Sequence, residues 1–307
     1  MPFHPDTLPS LAGKVSIVTG ATSGIGFHTV ARLAEHNAHV YLRARTAEKG
    51  AATISLIQSL YAHAKLSVLL MDHVQLSSVV DAATKFLSLE ARLDGLVNNV
   101  GIMATPFATN YLAHWVLCSH LVPLMLSTAR QAKEAGEPAG RVRIVNLSSA
   151  GHYSAPKRDA SGMTRYGQSK LANILHMKTL HRLYGPASSS SSTTPFTSQN
   201  GEIWLSAVHP GLVLSNLGAK AKLPGLIKAL IAPIRWARGV MDADRGCWTS
   251  LFCVAAPEMR REDAGGYFQR IADAKGWQSA MAKDEGIAER LEGRTGEEMA
   301  SGGWVRL

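Results

Sequence analysis

Thr19-Gly20-Ala21-Thr22-Ser23-Gly24-Ile25-Gly26 follows the apolar run Val15-Ser16-Ile17-Val18 and leads into a segment with Val30, Leu33 and Ala34 on one helical face. The order is strand, glycine-rich turn, helix. Glycines at 20, 24 and 26 permit positive φ and, lacking Cβ, let a pyrophosphate approach the backbone and let helix and strand pack closely. A helix starting near Gly24 points unpaired N–H groups and its positive dipole end at that anion. An ordinary βα turn can carry the same glycines, so the rest of the chain decides their meaning.

Outward from this turn, strand and helix patterns alternate. His39-Val40-Tyr41-Leu42 reads as the second strand, Leu66 to Met71 as the third and Leu93 to Val97 as the fourth. Val142 to Leu147 and Ile203 to Val208 are the fifth and sixth, and Gly266-Tyr267-Phe268 is a short closing strand. Six strands alternating with helices predict an α/β fold, a doubly wound parallel sheet. Residues 11–270 form the expected domain, with 1–10 as an N-terminal extension and 271–307 as a helical tail. The serine-rich stretch 186–201 is too polar to order itself and reads as a flexible insertion. Residues 214–240 mix apolar and basic residues with Pro224 and Pro233, as a broken helical lid over an apolar substrate would.

The chain has 307 residues, 46% of them hydrophobic and 18% charged, which suits one large globular domain. Its net charge of +9 is scattered, without a dense basic run interleaved with aromatics, so nucleic acid is not the expected partner. Attraction to a phosphorylated cofactor, or weakly to a membrane surface, is the milder reading. No apolar run is expected to span a bilayer, and the Met1-Pro2-Phe3-His4-Pro5 start does not read as a signal peptide, which predicts a cytoplasmic protein. Cys118, Cys247 and Cys253 lack metal-ligand spacing and read as reduced core thiols.

The end of the second strand selects the dinucleotide. A carboxylate there would accept hydrogen bonds from the ribose of NAD, whereas this chain has Arg43-Ala44-Arg45 with Lys49 nearby, and Arg45 can pair with the 2′-phosphate of NADP in a fork. Asp72, closing the third strand, either accepts a hydrogen bond from the adenine amino group or caps the next helix. Asn98 and Asn99 close the fourth strand, where such side chains satisfy loop backbone groups and line a cofactor cleft. Tyr166 and Lys170 lie four apart on a helix and so on one face. A nearby ammonium stabilises a phenolate, which suits proton exchange with a substrate oxygen, and Ser149 at the end of the fifth strand can donate a hydrogen bond to that oxygen.

In this order and at strand ends, the set resembles the short-chain dehydrogenase/reductase family from Leu11 to about Phe268. The elements are Thr19-Gly20-x-x-x-Gly24-Ile25-Gly26, Asn98-Asn99-Val100-Gly101, Asn146-Leu147-Ser148-Ser149, Tyr166 through Lys170, and Pro210-Gly211. Arg45-Thr46-Ala47-Glu48-Lys49-Gly50 and Asp244 to Leu251 look like the retinol-dehydrogenase-like and fungal biosynthetic branch, which implies secondary metabolism. The resemblance implies a Rossmann fold and an NADP(H)-dependent oxidoreductase of an apolar carbonyl or alcohol. It makes Tyr166 the proton donor in reduction, Lys170 the group that lowers its pKa and holds the nicotinamide ribose, and Ser149 the carbonyl polariser, with Ser148 facing away. Asn110 would anchor a proton-relay water, and Gly20, Ser23, Gly24, Ile25, Gly26, Val213 and Ser215 would touch the cofactor. Family dimers pack on the helix that begins near Asn110, so a homodimer is a further expectation.

Two departures stand out. Valine replaces the usual alanine at Val100, and Gly101 to Asn110 is about a dozen residues shorter than the family pattern. Either Asn110 keeps its place, or it becomes an ordinary helix cap and the chain is a dinucleotide-binding protein with impaired turnover.

Overall fold

At the amino-terminal side of the sheet, the apolar run ahead of the glycine turn forms β1 (Val15–Val18), and the turn feeds α1 (Gly24–Glu35). The computed structural model describes residues 3–155, 161–186, 201–213, 240–269 and 271–306. The expected insertion 186–201, apart from its two end residues, and the expected lid 214–240, apart from its last residue, lie outside the described residues, as does Ser215.

Strands β2 (His39–Ala44), β3 (Lys65–Leu70), β4 (Gly95–Asn98), β5 (Arg143–Leu147) and β6 (Trp204–Val208) follow, then the short pair β7 (Leu212–Val213) and β8 (Val240–Met241), and finally β9 (Gly266–Phe268). Seven of them form one parallel sheet in the order β3-β2-β1-β4-β5-β6-β9, and β7 pairs with β8 apart from it. The sheet is thus the expected doubly wound one, with Gly266–Phe268 joining as a seventh strand. Strand order reverses between β1 and β4, and such a switch point opens a crevice at the strands' carboxyl ends.

Helices α2 (Ala47–Leu60), α3 (Leu76–Leu89), α4 (Ala113–Glu134), α5 (Gly162–Tyr184), α6 (Ala243–Ala255), α7 (Ala280–Lys283) and α8 (Glu285–Ser301) complete the regular elements used below. Parallel strands are covered on both faces and so read as continuous apolar runs. On one face Val18, Val40, Leu42, Val97 and Val145 pack with residues of α1, α2 and α6, and Phe3 and Leu8 join them. On the other, Ile17, Tyr41, Leu96, Ile144 and Leu205 pack with α3, α4 and α5 and with Ala288 and Met299 of α8. Both chain ends therefore add to the core.

Arg143 opens β5 as a buried residue, and its Nε and Nη1 groups are hydrogen-bonded. It donates to the carbonyls of Gly140 at 2.6 Å and Ala256 at 2.8 Å and lies 5.3 Å from the Trp204 ring centroid. Carbonyls left over at the end of α6 thereby gain a cationic donor, which suits the negative end of the helix dipole.

The expectation that no apolar run could span a bilayer fails for the stretch Ala108–Glu134, which by length and composition is long and apolar enough. Its most apolar window is 61% buried inside the protein, as befits a helix wedged between sheet and neighbours. The helix continues through Pro123. Three cysteines are free and buried.

Candidate active site

The glycine turn is shaped by its backbone. Gly20 and Gly24 adopt φ of +65° and +57°, a region side-chain-bearing residues rarely enter. A Cβ on Gly26 would fall on the Gly20 carbonyl, and one on Gly20 would lie 2.7 Å from Asn99 Nδ2, so both positions are fixed by close packing. At Gly24 nothing stands within 4 Å of a Cβ, and Ser23 makes no side-chain capping bond to α1. The first turn of α1 thus lacks a side-chain cap from Ser23 and is open at Gly24, which fits an anionic group.

Asn99 holds this turn: its amide donates to the carbonyls of Thr19 at 2.9 Å and Gly20 at 3.3 Å. Asn98 does not share that duty. Its side chain is 1% exposed and donates to Asn146 Oδ1 at 2.8 Å and Cys118 Sγ at 3.3 Å, bracing β4 against β5 and α4. The expected cofactor contact through the Asn98 side chain is therefore corrected, because alternation turns that amide into the sheet.

Thr19 is a hub that the sequence reading passed over. Its hydroxyl accepts the N–H groups of Asn99 at 2.8 Å and Val100 at 3.1 Å and pairs with His114 Nε2 at 2.9 Å. His114 Nδ1 lies 3.0 Å from the Asn110 carbonyl oxygen, and burial drives this imidazole down to about 3, so it stays neutral. The spacing of Asn110 and His114, one helical turn, was the available signal.

Asn110 keeps a built place despite the short loop before it. Residues Ala108–Leu112 form a π turn ahead of α4, and Asn110, 0% exposed, lies within it. Its Oδ1 accepts the Ile102 N–H at 2.8 Å, while Nδ2 donates to the Ile102 carbonyl at 3.0 Å and to Ser169 Oγ at 3.0 Å. The side chain spans the shortened loop and reaches α5, so it is not a helix cap.

Ser148 and Ser149 point opposite ways. Ser148 Oγ donates to the Lys170 carbonyl at 2.8 Å inside the protein, whereas the Ser149 hydroxyl accepts the Gly151 N–H at 3.1 Å and acts on the Tyr166 phenol, favouring its ionised form. Lys170 Nζ donates to the Leu147 carbonyl at 2.9 Å and lies 5.6 Å from the Tyr166 ring centroid. The expected lowering of the tyrosine pKa is corrected here: burial raises the Tyr166 phenol, against a smaller lowering by the Ser149 hydroxyl, while the ammonium is engaged by Leu147. Burial also lowers Lys170 to about 8.

At the end of β2, Arg45 and Lys49 are exposed and, among the described residues, form no ion pair. Arg43 is buried, 3.9 Å from Asp72 Oδ1, because the strand runs on to Ala44 instead of ending at Leu42. Asp72 Oδ1 also accepts the Val74 N–H at 3.0 Å; it stands three residues before Gln75, the N-cap position of α3, and does not cap that helix. Val213 on β7 packs where a Cβ on Gly246 would press on it at 2.7 Å and on Ile25 at 3.4 Å, so α6 brings β7 to the glycine turn's helix.

A family model described as short chain dehydrogenase matches residues 14–222. Among similar proteins, a short-chain dehydrogenase/reductase, drtF, of Aspergillus calidoustus is 42% identical over 97% of this chain and 97% of its own length. Retinol dehydrogenase 12 of Mus musculus is 32% identical over 92% of this chain and 84% of its own. The Pseudomonas aeruginosa RhlG/NADP active-site complex superposes with a TM-score of 0.63 at 23% identity, covering 93% of this chain and all of that one (100%), a likeness of fold.

Proposed function

The chain belongs to the short-chain dehydrogenase/reductase family, and on that premise we propose that it is an NADP(H)-dependent oxidoreductase interconverting a carbonyl and an alcohol on an apolar small molecule in secondary metabolism. The observation that carries this reading is the buried Lys170 ammonium 5.6 Å from the Tyr166 ring centroid, with the Ser149 hydroxyl acting on the same phenol.

When bound, the nicotinamide supplies or accepts the hydride. This chain's residues position and protonate. The Tyr166 phenol, kept protonated at neutral pH by burial, gives its proton to the substrate oxygen in reduction, and the Ser149 hydroxyl donates a second hydrogen bond to that oxygen. Lys170 Nζ provides positive charge next to the ring as the phenol loses its proton, and Asn110 with Ser169 fixes the turn over which that proton is replaced. Gly20, Ser23, Gly24, Ile25 and Gly26 would cradle the pyrophosphate; Arg45 with Lys49 would hold the 2′-phosphate, and Asp72, Asn99, Val213 and Ser215 complete the cofactor set. Exposed Tyr153, Met163 and Leu212 stand on the same elements as Ser149, Tyr166 and Val213 and support an apolar substrate.

A panel of aldehydes and ketones assayed with NADPH and NADH tests the reading. Turnover with NADPH is expected; Tyr166→Phe should abolish it while leaving nucleotide affinity nearly intact, and Arg45→Asp should weaken NADPH far more than NADH. Nucleotide binding without turnover on any substrate would favour a non-catalytic dinucleotide-binding protein.

A further inference from the structure

Two arginines of this chain are buried inside the sheet, and they are treated differently. Arg143, 5% exposed, has backbone carbonyls and a tryptophan ring arranged around it. Arg43, 9% exposed, has almost nothing: among the described residues its guanidinium makes no hydrogen bond, and its Nε is buried without an acceptor. Among the described residues the one opposite charge paired with it is Asp72, at 3.9 Å, beyond hydrogen-bond reach, and the Asp72 oxygen concerned already accepts the Val74 N–H.

Leaving a guanidinium so placed is costly, because burial takes most of a charged side chain out of water and leaves its Nε–H donor without a partner. Burial lowers Arg43 to about 10, with Asp72 opposing that shift and Arg45 adding to it, so the two arginines feel each other's charge. β2 ends at Ala44 on the carboxyl rim of the sheet, next to β1 and the glycine turn; Arg43 lies within it and Arg45 is the first residue past it. Ala44, between them, is fully buried, and its carbonyl already accepts the Met71 N–H at 3.0 Å.

We propose that Arg43 is a second reader of the cofactor's adenosine 2′-phosphate, closing with the exposed Arg45 as a two-guanidinium clamp. This rests on the NADP(H) reading above. A phosphate dianion brings the acceptors Arg43 lacks and offsets the excess of two cations over one carboxylate, and phosphate–guanidinium bonds are among the stronger charge-assisted pairs. Arg45 offers an exposed, solvated contact; Arg43 offers a desolvated one, whose contribution is screened less by salt.

The test uses the full chain, wild type and Arg43→Met, with thermal unfolding of the free protein and calorimetric titration of adenosine 2′,5′-bisphosphate, 5′-AMP, NADPH and NADH. Methionine keeps the apolar length of the side chain and removes the charge. Expected are an unfolding temperature equal to or above wild type, and a loss of roughly tenfold or more in affinity for the bisphosphate and NADPH, with little change for 5′-AMP and NADH. Arg43→Lys should recover part of the bisphosphate preference. A lowered unfolding temperature with the nucleotide preference unchanged would make Arg43 a structural residue and overturn the clamp. Equal losses for all four nucleotides would overturn it too, by placing Arg43 against the adenine. If wild type itself binds 5′-AMP and the bisphosphate alike, the NADP(H) reading and the clamp fall together; if wild type discriminates and Arg43→Met still does, the clamp alone falls.

Discussion

Asn110 Nδ2 donates to Ser169 Oγ across 3.0 Å, joining the π turn before α4 to the helix that carries Tyr166 and Lys170. The same amide group binds the Ile102 N–H and carbonyl, so one side chain holds the loop after Gly101, the π turn and α5 together.

Removing it should therefore cost both stability and rate. Asn110→Ala leaves the Ile102 N–H and carbonyl and the Ser169 hydroxyl without their partner, for a loss of about 2–4 kcal/mol. Ser169→Ala removes one of those bonds and should lose about 1 kcal/mol. Turnover, corrected for the folded fraction at the assay temperature, should fall much further in the first variant than in the second. An unchanged corrected turnover in Asn110→Ala would remove Asn110 from the catalytic set.

Proton transfer should leave a signature in the pH dependence of reduction. Burial raises Tyr166 above its ordinary 10.0 and lowers Lys170 to about 8, and reduction needs the first protonated and the second charged. Hence kcat/KM, which reports the free protein, should be level through neutrality and decline as pH rises past about 8, when Lys170 gives up its charge. A profile level up to pH 10 would show that the Lys170 charge does not enter the rate.

The turn of glycines makes separable demands. Gly26→Ala places a methyl on the Gly20 carbonyl and should destabilise the free protein by about 1–3 kcal/mol. Gly24→Asn keeps a residue that tolerates positive φ and projects it into open space, so the free protein should unfold near the wild-type temperature while NADPH no longer raises that temperature. Wild-type stabilisation of Gly24→Asn by NADPH would show that the space over Gly24 is not where the nucleotide sits.

The docking of α8 should respond to pH on both sides of a plateau. Glu292 accepts from Trp115 Nε1 at 2.7 Å and lies 3.0 Å from His176 Nδ1. Burial disfavours charge on His176, but the Glu292 carboxylate outweighs it and holds the imidazole up at about 10; burial likewise opposes charge on Glu292, and His176 reverses that and lowers it. A raised histidine contributes fully below its ordinary 6.5 and loses that contribution as pH climbs toward about 10. A lowered glutamate contributes fully above its ordinary 4.5 and loses it as pH falls through its depressed value. Unfolding free energy from this pair should be greatest between those values and decline on either side, and Glu292→Gln should flatten both slopes. Unaltered slopes in that variant would remove the pair as their source.

Much of this was legible in the chain. Gly20, Gly24 and Gly26 at a strand end, and Tyr166 and Lys170 one helical turn apart, encode their placement through local periodicity and backbone freedom. Alternation along β5 separates Ser149 from Ser148 in the same way. The burial of Arg43 was hidden, because basic residues at a strand end read as solvated until the strand is known to continue through Ala44. So was the service of Asn110 to Ile102, which depends on a π turn that no apolar period announces. The sequence of α8 hid its docking for another reason. Its inward face is built from Ala288, Thr295, Gly296 and Met299, small or polar residues with a weak hydrophobic stripe, and polar bonds complete its attachment, as between Thr295 and Tyr111 at 2.9 Å.

That attachment changes the thermodynamics of the α4–α5 face. Tyr111, Trp115 and His176 are bonded to the chain's own carboxyl-terminal helix, and the Trp304 carbonyl reaches His120 Nε2 at 2.9 Å. An occupant tethered to the same chain has an effective local concentration independent of how much protein is present, whereas a second molecule leaves on dilution. The wall behind Asn110 and Lys170 is therefore first order in its assembly: it should form as completely at nanomolar as at millimolar protein, and a competing molecule must first expel a covalently held rival.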